Sequence, residues 1–168
     1  MRRQASQLLA HLADSLEDQS LPDGVHIRLL NILHGHLTQE RDPEALQSSA
    51  QAMEALLSDS IVRGQFSEVF RIAQALLNLA VAHQGHPSVA WKARAIQDLL
   101  VRLAGPLNLA NIVPLLHQRK ADLSISQIHS LLAFMGPSAA RYLIVCLGIE
   151  EERSRRVNLC EAIRAIGP

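Results

Sequence analysis

Aromatic side chains are scarce: three Phe, one Tyr and one Trp make up 3% of the 168 residues. A core built on ring stacking is therefore excluded. Charge is balanced, with 16 basic and 16 acidic residues. A chain of zero formal charge offers no general field to a polyanion, which argues against a nucleic-acid partner. Only two cysteines occur, Cys146 and Cys160. They form no disulfide framework and are expected to be small buried hydrophobes. No secretory signal pattern is present, so the cytoplasm is the expected compartment. No apolar run reaches the roughly 18 residues that a membrane span requires.

Catalytic and metal-binding patterns are missing too. No glycine-rich phosphate loop occurs, and no serine sits in a strand-to-helix elbow. Of the eight histidines, His34 and His36 point away from each other on a helix. His83 and His86 meet near a loop but bring only two ligands, where zinc sites take three or four. Neither an enzyme nor a cofactor is expected.

What remains is an aliphatic chain with regular punctuation. Apolar residues make up 48% of it, chiefly Leu, Ala, Ile and Val, the usage of stacked helices. Gly-Pro recurs at Gly105-Pro106, Gly136-Pro137 and Gly167-Pro168, each pair 31 residues from the next. A fixed period of that length marks a repeat array. Shifting by 31 residues superposes Ile112 on Leu143, Val113 on Ile144, Leu116 on Leu147, Ile128 on Leu159, Leu132 on Ile163 and Met135 on Ile166. Apolar meets apolar each time. Within a unit these positions form two clusters at helical spacing, so each unit reads as a helical hairpin. Glycine just past a helix end is expected to be left-handed, and proline to open the next helix. Asp122 or Ser124 can cap the second helix of the middle unit, Ser124 with Gln127 fitting a capping box. Glu150, Glu151 and Glu152 occupy that place in the last unit.

Upstream, helices are expected over 3–17, with Leu8, Leu9, Leu12 and Leu16 on one face, and over 25–38. The second should bury Val25, Ile27, Leu29, Leu30, Ile32, Leu33 and Leu37. Leu21-Pro22-Asp23-Gly24 is a turn, and Asp42-Pro43 is a helix start. Gly64 separates that helix from one over 66–83. Another runs from Val89 to Ala104. About nine helices result, in a helical N-terminal segment over 1–64 and an array over 65–168 with units near 66–105, 106–136 and 137–168.

Ile112-Val113-Pro114-Leu115-Leu116 in a first helix, and Glu161 to Pro168 closing a second, resemble HEAT repeats of the short, phycobilisome-lyase type. Arg155-Arg156-Val157 resembles the basic and valine positions near the start of that family's second helix. The resemblance spans about 66–168 and implies an α-solenoid of antiparallel helical hairpins whose second helices line a concave face. Solvent positions then form columns: Arg102, Ala133 and Arg164; Leu99, Ser130 and Glu161; Gln127 and Asn158. Partner binding is accordingly expected at Arg102, Gln127, Ser130, Asn158, Glu161 and Arg164, with Arg pairing the carboxylates of another protein or an acidic peptide. The function implied is a non-catalytic scaffold. The alternative is a bilin-lyase-like enzyme or chaperone holding a tetrapyrrole. Residues 1–84 carry six basic and ten acidic side chains, and residues 85–168 ten and six. An acidic partner for the repeat half, or a head-to-tail contact, would match that polarity. Pro168 falls where another first helix should begin. The chain is therefore expected to be a piece of a longer protein, or to self-associate through an uncapped C-terminal end.

Overall fold

The structure is a computed structural model that describes residues 23–118 and 123–167. Among these are eight α-helices and no strand: α1 (Asp23–Gln39), α2 (Pro43–Val62), α3 (Phe66–Gln84), α4 (Ala90–Arg102), α5 (Pro106–Ile112), α6 (Ile125–Phe134), α7 (Pro137–Ile149) and α8 (Arg153–Ile166). A 3-10 segment, Val113–His117, follows α5. The fold is all-α. Eight helices stand against about nine expected; the helix expected over 3–17 lies outside the described residues, as do Leu21, Pro22 and Asp122. No single described helix is long and apolar enough to cross a membrane.

The helix ends follow from local chemistry. Asp42 Oδ1 accepts the Glu44 N–H at 3.0 Å, and Pro43 opens α2 without wasting a donor. At the other end of α2 the Gln65 N–H reaches the Ser60 carbonyl and the Gly64 N–H that of Ile61, with Gly64 at φ 75°. This is a Schellman closure. Ser124 and Gln127 complete a capping box at α6: Ser124 Oγ accepts the Gln127 N–H at 3.2 Å and Gln127 Oε1 accepts the Ser124 N–H at 2.9 Å. Before α8, the Glu150 carboxylate accepts the Glu152 N–H at 3.0 Å and Glu152 pairs with Arg155 at 2.7 Å. These acids offset the three arginines, Arg153, Arg155 and Arg156, that begin a helix whose dipole disfavours cations there.

Three expectations are corrected. Of the three Gly-Pro glycines only Gly136 and Gly167 have positive φ; Gly105 sits at φ −59°, ψ 149°, within reach of any residue. Its helix, α4, already ends at Arg102, and the chain reaches Gly105 through turns, so no left-handed residue is needed. Next, the first helix of the middle unit is not continuous. Pro114 has no N–H for the Ala110 carbonyl, and the chain tightens into 3-10 geometry there. Finally, α1 is not apolar-buried all round. Leu30, Leu33 and Leu37 are buried with His26, but Val25 and Ile27 are exposed and Ile32 is 65% exposed. A stripe of three leucines and a histidine at spacings of three and four covers only one face.

The chain divides into two compact units. One comprises the described part of 1–59 with 75–99, the other 60–74 with 100–168. In the first, α1 and α2 run antiparallel, joined by histidine at both ends. His26 Nε2 donates to the Leu56 carbonyl at 3.0 Å, and Nδ1 lies 3.4 Å from Asp59 Oδ2. His36 Nδ1 lies 2.9 Å from Ser49 Oγ. Leu46, Met53, Leu57, Leu76, Ile96 and Leu99 fill the core between, each contributing about 1.5–3 kcal/mol by leaving water.

In the second unit α7 packs on α8 as a hairpin, α6 packs along α8, and α5 contacts α7. Phe70 stacks on Phe134 with ring centroids 6.1 Å apart and an interplanar angle of 18°. Between α6 and α7 the chain bends by 120° within Met135–Gly136, Gly136 taking φ 65°, ψ −148°. A side chain is strained in that region by about 1–3 kcal/mol.

Gly136→Ala is therefore expected to lower stability by about 1–3 kcal/mol. Gly105→Ala should be neutral or stabilising by up to about 1 kcal/mol, because its backbone suits alanine and the added Cβ would meet only the Arg102 carbonyl at 3.6 Å. Urea unfolding of the two variants measures the difference, and equal midpoints would show that the corner stores no requirement for glycine.

Candidate functional site

The six residues nominated from sequence all fall in the second unit. Gln127 and Ser130 lie on α6, and Asn158, Glu161 and Arg164 on α8, so the helix pair α6–α8 carries five of them. Arg102 ends α4. Their chemistry divides them. The Gln127 amide is engaged in the α6 capping box, and Ser130 Oγ donates to the Ser126 carbonyl at 3.0 Å. Asn158 Nδ2 donates to the Leu116 carbonyl at 3.0 Å, tying α8 to the 3-10 segment across 42 positions of chain. Arg102, Glu161 and Arg164 are exposed. Of the columns, one is interrupted: Leu99 is fully buried.

His117 closes the 3-10 segment, half-buried, with Nδ1 3.4 Å from Asn158 Nδ2. Burial pushes its pKa below the usual imidazole value, and Arg155 pushes the same way, while Glu150 and Glu152 pull it back. An Nδ1 facing an amide N–H is an acceptor, so protonation would set donor against donor. The cysteines, expected to be buried, are free and half-buried, Cys146 on α7 and Cys160 on α8. Burial raises the Cys146 pKa, which keeps the thiol protonated and weakens it as a nucleophile. Among the described residues no three His, Cys, Asp or Glu side chains converge to hold a metal ion.

The second feature lies wholly in the first unit. A cleft of about 730 Å³ opens between the C-terminal end of α1 (Thr38, Gln39), Arg41, the last turn of α3 (His83), and Ser88 to Lys92 at the start of α4. Lys92 is only 4% exposed. Its Nζ lies 3.4 Å from the Thr38 carbonyl and 5.8 Å from the centroid of the Trp91 ring. Burial lowers the Lys92 pKa; Glu40 opposes that shift and Arg41 adds to it. Glu40 itself is turned to the backbone, accepting the N–H groups of Arg41 and Asp42 at 2.7 and 2.9 Å and lying 3.3 Å from His36 Nε2. No described carboxylate lies within ion-pair distance of Lys92. His83 Nε2 is buried without a hydrogen-bond partner among the described residues.

Nothing in the sequence pattern singles out Lys92 beyond its place next to the sole tryptophan at a helix start. Its burial depends on Thr38, 54 positions away, which no periodicity reports. Comparison with family models, with curated proteins and with solved structures returned no match.

The His117 geometry fixes a pH dependence. Its folded pKa lies below the unfolded one, so the unfolded chain binds the proton more tightly and stability is complete above the ordinary pKa of about 6.5. Stability is expected to fall as the pH drops from there through the lowered folded value, and His117→Gln should flatten that part of the profile. Thermal melts between pH 7 and pH 5 test it, identical slopes being the contrary result.

Proposed function

We propose that this chain is a cytoplasmic, non-catalytic scaffold of HEAT-like helical hairpins, stacked as a short α-solenoid, that binds another protein. The observation that carries the reading is the pairing of equivalent helices one period apart. Second helix meets second helix (α6 with α8), and first meets first (α5 with α7). That is the contact pattern of repeats translated past one another, and it coincides with the 31-residue register of the apolar positions.

The same register supports a binding face on α7. α8 packs on the 3-10 segment, where Val113 and Leu116 are buried. One period on, Ile144 is 57% exposed and Leu147 half-buried. Val145 and Ile149 are 66% and 79% exposed and share one side of α7 with Ile144 and Arg141 at spacings of three to five. Large aliphatic side chains gathered on one exposed helix face mark an interaction surface. The partner is a protein presenting an apolar helix flanked by carboxylates, which Arg141 meets on α7 and Arg164 meets on α8, with Arg102 a further cation of the same unit. The aliphatic core keeps that face preorganised, which lowers the cost of association.

Affinity capture from the source cell with three baits tests the proposal: the wild-type chain, Val145→Glu/Ile149→Glu, and Arg102→Glu/Arg164→Glu. A stoichiometric protein is expected on the wild type. It should be lost from the first variant by about 100-fold or more and weakened about tenfold on the second, in line with a central apolar contact and a charged rim. Equal recovery on all three baits would overturn it. A coloured eluate without a protein partner would favour the tetrapyrrole-holding alternative.

A further inference from the structure

Lys92 is a buried cation with few partners. An ammonium ion has three N–H donors, and at 4% exposure water cannot serve them freely. One points at the Thr38 carbonyl, at the long end of hydrogen-bond range. That carbonyl belongs to the last turn of α1, whose dipole favours a cation, so capping a helix accounts for part of the placement. It leaves two donors. The Trp91 ring, 5.8 Å away, offers a weak attraction, and no described carboxylate completes the shell.

The surroundings show where the missing partner would come from. The cleft that Lys92 lines is also lined by the exposed Arg41, whose side chain forms no ion pair among the described residues. His83, which also lines the cleft, has a buried Nε2 without a partner among those residues. The half-buried indole of Trp91 supplies a flat apolar wall. The volume of about 730 Å³ is that of a small-molecule site and far exceeds a bare ion.

We infer that this cleft binds a small organic anion with one or two planar rings, the ring lying on Trp91 and the carboxylate or phosphate held by Lys92 and Arg41. The buried lysine supplies a charge-assisted hydrogen bond at short range. Arg41 at the mouth closes on the second oxygen, and His83 Nε2 reaches a polar group on the ring. The site is independent of the protein-binding face proposed for the second unit.

Trp91 is the only tryptophan in the chain, so intrinsic fluorescence reports on this cleft alone. The full chain is titrated with 5′-AMP, which carries a ring and a phosphate, with benzoate, which carries a ring and a carboxylate, with adenosine and with inorganic phosphate. A saturable change in Trp91 emission is expected with 5′-AMP or benzoate, whichever anion the site prefers, at millimolar concentration or below. Adenosine and inorganic phosphate should each bind at least about tenfold more weakly, since each lacks one of the two recognised parts. Lys92→Met, of similar length, should weaken the preferred probe by about tenfold or more, and Arg41→Ala, at the exposed rim, by a few-fold. Circular dichroism confirms that both variants are folded, and Arg41→Ala, being exposed, keeps the test open if Lys92→Met is not. No saturable response to either ring-bearing anion up to about 10 mM would overturn the inference. So would binding unchanged in both variants, which would leave Lys92 as a cap on α1 and nothing more.

Discussion

The second unit depends on a corner two residues wide. Gly136 adopts φ 65°, ψ −148° and Pro137 opens α7, so the chain reverses by 120° with no loop. A longer connection would let the two hairpins slide; this one fixes their relative register. Given that register, α8 falls beside α6, and Leu159 reaches the core with Ile128, Leu131 and Leu132, all buried. A core of leucine and isoleucine has little directional chemistry of its own. Shape is therefore imposed by the backbone at the corners, and the side chains fill what the corners define.

Much of this was legible because it is local. Asp42-Pro43, Ser124 with Gln127, and Gly64 act through backbone groups within a few positions, and each did in the fold what its neighbours in sequence implied. The period of 31 was legible for the same reason, as punctuation repeated. Legibility failed where an outcome depended on something further off. Gly105 shares its Gly-Pro pair with Gly136 yet takes an ordinary conformation, since α4 stops earlier than the pattern of apolar residues suggests. Ile32 fits an apolar stripe as well as Leu33 does, and only one of them is covered.

The nominated contact residues illustrate a related limit. Gln127, Ser130 and Asn158 looked like free polar positions on a column because a repeat alignment sees only which residues recur. In the structure each has a backbone partner, two of them within four residues. Polar side chains near helix starts are drawn to such local groups, so a column of them indicates capping as readily as recognition. Glu161 and Arg164 differ in exposure, their side chains lying in solvent on α8.

Lys92 presents the opposite case, a residue unremarkable in sequence and costly in place. A methionine would fill nearly the same volume and need no hydrogen bonds. Capping α1 explains why a cation is tolerated beside the Thr38 carbonyl, but a helix end does not require its cap to be buried; an exposed lysine does the same with water completing its shell. Burial in the lining of a cleft shared with a His83 Nε2 that has no partner among the described residues is a structural excess over capping. The distinction matters because the two roles make different demands on Arg41. A cap gains nothing from a second cation nearby, and Coulomb repulsion makes it worse. An anion site gains from both, since the ligand's charge converts that repulsion into a shared attraction.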